Sequence, residues 1–171
     1  MRRIVTFDWL TADGYFAGLD GSLDWVVLDD EQARAAAKSI SGFDTVLFGR
    51  RTYELFEGFW RHALDDSATV PDPHRPGRRS PEHRVIAVAL NEMTKLVFSR
   101  TLPEVTWKNS RLIHGLDPRD IEEMKRGPRK DMILGNGRPL LTGVSKREKL
   151  DLLEARAYPS GDVMFRYARA T

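Results

Sequence analysis

The stretch Asp44-Thr45-Val46-Leu47-Phe48-Gly49-Arg50-Arg51-Thr52-Tyr53-Glu54 constrains the fold of this chain more than any other. Val46 to Phe48, with Thr45 before them, form a continuous apolar run closed by Gly49. That is the pattern of a strand covered on both faces. Thr52 is a favourable N-cap, and Tyr53, Leu55, Phe56 and Trp60 recur at helical spacing, which predicts a helix from about Tyr53 to Trp60. A strand, a Gly-Arg-Arg-Thr turn and a helix thus follow one another directly. Free backbone N–H groups at a helix start, together with two fixed positive charges, form a site for a phosphate. The same residues also satisfy a plain strand-to-helix turn carrying two solvated arginines.

The chain has 171 residues, which fits one domain, 1–171, with a proper core. No apolar run is long enough for a membrane span. Met1-Arg2-Arg3-Ile4-Val5 leads straight into a strand pattern, so the expectation is no signal peptide and a cytoplasmic protein. Cysteine is absent, which excludes disulfides and thiolate metal sites. A net charge of +2 gives no case for nucleic acid. The arginines near residue 75 lie among prolines without interleaved aromatics and read as a solvated loop.

Ile4 to Leu10 is apolar, β-branched and aromatic, and reads as the first strand. Thr11 to Asp24 has loop chemistry, with Asp20-Gly21 as a tight turn. Asp29-Asp30-Glu31 supplies the acidic first turn of a helix over Gln32 to Ile40, whose stripe is Ala33, Ala36, Ala37 and Ile40. Capping is the expected job of these acids. Asp65 to Pro81 is a long proline-bearing loop. Glu82 to Met93 is helical by spacing. His74 and His83 lack a second ligand at metal spacing and read as surface histidines. Lys95 to Phe98 is a short strand ending at Ser99-Arg100-Thr101. Val105-Thr106-Trp107 and Arg111-Leu112-Ile113 read as edge strands. Asp117 caps a helix that opens at Pro118 and runs to Arg126, and Gly127-Pro128 ends it. Asp131 to Leu134 is another buried strand. Leu150 to Ala157, the turn Tyr158-Pro159-Ser160-Gly161, and Val163 to Tyr167 form a β-hairpin.

Five pieces of the sequence occur in the order of one known family. They are Asp13-Gly14-Tyr15-Phe16-Ala17 with Asp20-Gly21-Ser22-Leu23-Asp24-Trp25; Phe48-Gly49-Arg50-Arg51-Thr52-Tyr53-Glu54; Lys95 to Leu102; Lys130 to Gly135; and Leu150 to Tyr167. Together they resemble the dihydrofolate reductase-like superfamily. The nearest resemblance is to stand-alone bacterial proteins related to the C-terminal reductase domain of bifunctional riboflavin-biosynthesis proteins. The resemblance implies an α/β three-layer sandwich, with a mainly parallel central sheet, helices on both faces and a C-terminal β-hairpin. It also implies NADPH as cofactor and a small heterocyclic substrate of the pterin or pyrimidine type. Gly49, Arg50, Arg51, Thr52, Ser99, Arg100 and Thr101 would then hold phosphates, and Gly135, Asn136 and Gly137 would approach the pyrophosphate. A hydroxyl and a guanidinium at a strand's carboxyl end suit the 2′-phosphate of NADP. Asp13 and Trp25 would shape the substrate side. Asp13 and Asp30 are the acidic candidates for catalysis, Asp30 being the nearest positional match to the family's substrate-binding acid.

The pattern breaks after Gly135. Leu134-Gly135-Asn136-Gly137 runs directly into Arg138-Pro139-Leu140-Leu141, where the family has a helix and a strand in between. A genuine loss of that segment is expected to weaken cofactor binding and to expose a central sheet edge, which favours pairing with another chain as a homodimer. It also leaves open a second function class, a non-catalytic nucleotide- or ligand-binding homo-oligomer of the same fold.

Overall fold

A computed structural model describes residues 1–11, 15, 26, 29–65, 80–115, 117–135 and 149–170. Its centre is β2 (Phe43–Gly49), where Thr45, Val46, Leu47 and Phe48 are all buried. Being covered on both faces, β2 carries no polar alternation, which is why its sequence reads as one apolar run. Around it lie β1 (Ile4–Thr6), β3 (Thr94–Phe98), β4 (Ser110–Ile113) and β5 (Asp131–Gly135). They form a five-stranded sheet in the order β1-β5-β2-β3-β4, and every neighbouring pair is parallel. The carboxyl ends of all five strands therefore point to the same edge of the sheet.

Helices cover both faces. On one face, α1 (Asp30–Ile40), α2 (Arg50–Trp60) and α3 (Pro81–Glu92) pack over Val46, Phe48, Val97 and Trp107. On the other, α4 (Pro118–Arg126) sends Met124 against Leu47, Leu96 and Met132. Each helix start has a local cause. Asp29 and Gln32 form a capping box on α1. Ser80 caps α3 and Asp117 caps α4, each followed by proline in the first turn. Beyond the sheet, β6 (Leu150–Ala157) and β7 (Val163–Arg169) pair antiparallel as a separate two-stranded sheet.

Four expectations are corrected. β1 ends at Thr6 rather than Leu10; Phe7 and Leu10 are about half exposed, so no burial extends the strand. Helix α2 begins at Arg50, with Gly49 as N-cap, and Thr52 lies buried inside its first turn rather than capping it. Val105-Thr106-Trp107 is not a strand: the backbone N–H groups of Thr106 and Trp107 both donate to the Tyr53 hydroxyl, at 3.1 and 3.0 Å, and Trp107 fills the core. His83 is buried, its ring 4.8 Å from that of Trp60 and 5.3 Å from that of Phe59. A surface position read from missing metal partners overlooked that an imidazole packs as an aromatic.

Candidate functional site

Parallel pairing alone places the ends of β2, β3 and β5 side by side. Gly49 pairs with Phe98 across β2 and β3, and Phe48 pairs with Gly135 across β2 and β5. The Gly49-Arg50-Arg51 corner, the Ser99-Arg100-Thr101 corner and Gly135 consequently share one edge. The two arginine corners touch. Arg50 Nη1 donates to Thr101 Oγ1 at 2.9 Å, while Arg50 Nε bonds Glu54 Oε1 at 2.8 Å one turn along α2. Arg51 and Arg100 are exposed and make no hydrogen bond or ion pair among the described residues.

The start of α2 differs from the other helix starts in its chemistry. No side chain caps it, and its first turn holds no acid. Its orphan N–H groups and the guanidinium groups of Arg50 and Arg51 give it positive potential, offset in part by Glu54, which pairs with Arg50. Gly49 adopts φ −76° and ψ 160°, ordinary extended backbone, and a Cβ there would meet nothing within 4 Å. Nothing among the described residues demands glycine at that position. It leaves open space in front of uncapped donors, the shape that a phosphate or pyrophosphate fits.

Gly135 is glycine for a different reason. A Cβ there would lie 2.7 Å from the Phe48 ring and 3.4 Å from Thr52 Cγ2. Its missing side chain lets the first turn of α2 close onto β5, so Gly135 positions the arginine corner from below. Thr52 is sealed in that contact, 6% exposed. Ser99 acts within its own turn. Its Oγ accepts from the N–H of Thr101 at 3.2 Å and of Leu102 at 2.9 Å, which fixes the backbone that presents Arg100 and Thr101.

At the start of α1, carboxylates are already occupied. Asp29 accepts from the N–H of Gln32 and from that of Ser160 in the hairpin turn, at 2.7 and 3.0 Å. The Gln32 bond foremost holds its carboxyl below the usual carboxylate range. Glu31 pairs with Arg156 on β6, and Gln32 Nε2 donates to Asp162 at 2.6 Å. Asp30 is the first residue of α1 and is exposed. Asp13, Trp25, Asn136 and Gly137 lie outside the described residues. His114 is a neighbour that sequence reading passed over. At the end of β4, its Nδ1 lies 3.1 Å from the Ser99 carbonyl oxygen. Treating the carboxyl end of β4 like those of β2 and β3 would have flagged it.

A cleft of about 340 Å³ lies elsewhere, between the sheet and α4. Arg2, Thr45, Thr94 and Met132 line it at the strands' amino ends, away from the arginine corners. No group of His, Cys, Asp or Glu suited to a metal ion occurs among the described residues. No helix among them is long and apolar enough to cross a membrane.

No family model matches the chain. It is 23% identical over 194 residues to the uncharacterized protein YyaP of Bacillus subtilis (strain 168), covering 97% of this chain and 94% of that one. A solved structure described as "Putative riboflavin biosynthesis protein" from Shewanella sp. PV-4 superposes with a TM-score of 0.66 at 16% identity, over 100% of both chains. The chain shares that protein's fold. The parallel five-stranded sheet, helices on both faces and terminal hairpin agree with a dihydrofolate reductase-like architecture.

Proposed function

We propose that the protein is an NADPH-dependent reductase that transfers a hydride to a small heterocycle of the pterin or pyrimidine type. The observation that carries this reading is the Arg50–Thr101 contact, which joins two arginine-tipped strand ends into one cationic edge. The fold shared with a riboflavin biosynthesis-type protein supports it. The donor set fits a nucleotide's phosphates. The N–H groups at the start of α2 and the guanidinium groups of Arg50 and Arg51 would hold the pyrophosphate. Arg100 and the Thr101 hydroxyl would hold a 2′-phosphate, on a turn that the Ser99 hydroxyl keeps in shape.

The bound nicotinamide supplies the hydride; the chain's own part is to grip, orient and exclude water. Asp30, the first residue of α1, would be the acid on the substrate side as the nearest positional match to the family's substrate-binding acid, while Asp29 and Glu31 bond the hairpin. Loss of NADPH absorbance against a panel of pterins, pyrimidines and quinones tests the proposal. Steady turnover with any one of them supports it. The engagement of Asp29 and Glu31 favours one rival, a binding protein of this fold without turnover. That rival predicts NADPH binding with oxidation at background for every substrate.

A further inference from the structure

The two faces of the central sheet are covered unequally. Three helices close one face, while α4, nine residues long with Ile121 and Met124 as its large apolar side chains, lies on the other. Strand register decides what that second face presents. Met132, Thr45 and Thr94 stand in one row across β5, β2 and β3, and Leu47, Leu96 and Arg111 stand in the next. The cleft of about 340 Å³ lies between these rows and the end of α4. Leu96, Met124 and Met132 give it an apolar floor, and its charges are uneven. Arg111 and Arg129 are exposed, and their side chains make no hydrogen bond or ion pair among the described residues. Glu123 is the acid of the lining.

Arg2 is the buried cation of the lining, its side chain 6% exposed. Nε donates to the Lys130 carbonyl oxygen at 2.5 Å, and Nη2 donates to Asp44 and to Thr45 Oγ1. Nη1 reaches only the Met124 carbonyl oxygen, at 3.4 Å, on the α4 wall of the cleft. A guanidinium carries five N–H groups, so one on Nη1 has no acceptor among the described residues. The Thr94 hydroxyl, in the same lining, also makes no hydrogen bond among them.

We propose that this cleft is a second ligand site, for a small aromatic monocarboxylate. Asp44 neutralises Arg2, and Arg111 and Arg129 against Glu123 leave one net positive charge, which suits a monoanion better than a phosphate dianion. A carboxylate takes two parallel N–H bonds from one guanidinium and keeps lone pairs for the Thr94 hydroxyl or the spare N–H of Arg2. The thioethers of Met124 and Met132 favour a ring over the floor. A cavity of about 150 Å³ holds one benzene ring, so the volume here admits about two fused rings. The site shares no residue with the arginine corners and is independent of the reductase reading.

Titration of 2-naphthoate into the full chain, labelled at its methionine methyl groups and followed by NMR, tests this. Saturable shifts are expected at Met124 and Met132, with a dissociation constant below about 1 mM. Met93, packed on the other face of the sheet, and Met164, in the hairpin, should stay unmoved. The double variant Arg111→Gln with Arg129→Gln should bind at least about tenfold more weakly at an unchanged melting temperature, because both side chains are exposed and unpaired. 2-Naphthylmethylamine, the same body with a cationic head, should leave Met124 and Met132 unmoved. No saturable shift at about 5 mM 2-naphthoate overturns the proposal. So does equal binding of the amine, the same shifts from inorganic phosphate alone, or equal 2-naphthoate affinity in the double variant.

Discussion

At Gly49, helix stability and the proposed phosphate binding pull in opposite directions. A Cβ there meets nothing, the backbone is in the extended region that an N-cap prefers, and no side chain caps α2. Gly49→Asp should therefore cap the helix and oppose its positive end, stabilising the fold by about 0.5–1 kcal/mol. The same carboxylate would occupy the phosphate position, so NADPH affinity should fall at least about tenfold, or 1.4 kcal/mol. Thermal melts and a cofactor titration on one preparation measure both. Arg50→Ala isolates the second effect. Its ion pair with Glu54 is about half exposed, so stability should change by less than about 1 kcal/mol while NADPH affinity falls about tenfold. The arginines were legible in the sequence because a glycine between a buried strand and a helix pattern fixes where the corner lies. The role of Thr52 was not. A threonine before an apolar helix face looks like a cap, and only the contact with Gly135 shows that it is sealed inside.

The helices and strands were mostly readable, and the misses have local causes. α4 was readable from Asp117, Pro118 and Gly127, and α1 from its acidic first turn. Val105 to Trp107 misled because β-branched and aromatic residues also suit a core-filling loop when a buried hydroxyl takes their N–H groups. That hydroxyl gives a prediction. Tyr53 is 1% exposed, so Tyr53→Phe leaves two backbone N–H groups without their acceptor and should cost about 1–3 kcal/mol by denaturant melts. The opposite end of β3 holds a buried cation. Lys95 donates to the carbonyl oxygens of Met93 at 2.9 Å and Lys108 at 3.0 Å, and sits 4.4 Å from the centre of the Trp107 ring. Burial pushes its ammonium down to about 8. The unfolded chain, with an ordinary lysine near 10.5, binds the proton more tightly, so folding is penalised below pH 8 and relieved between pH 8 and 10.5. Relative to Lys95→Met, the native chain should gain stability across that window. A constant difference between the two would contradict the burial argument.

At the scale of the molecule, five parallel strands deliver their carboxyl ends to one edge, and the proposed ligand site follows from topology more than from any single residue. Sequence reading reached this sheet because Val46 to Phe48, Leu96 to Phe98 and Met132 to Leu134 are continuous apolar runs. It could not reach the order β1-β5-β2-β3-β4 from local pattern, and that order is what sets Gly135 beside Phe48. The hairpin was legible as a hairpin, while the exposure of Leu152, Phe165 and Tyr167 on one of its faces was not, because alternation marks two faces without saying which one is covered. Calorimetric titration of NADPH into the purified chain, beside Arg50→Ala, tests the central claim most directly. A joined arginine edge predicts saturable binding with a dissociation constant of about 1–100 μM, weakened about tenfold in the variant while its melt is unchanged. No heat of binding at about 1 mM NADPH, or equal affinity in the two proteins, would contradict it.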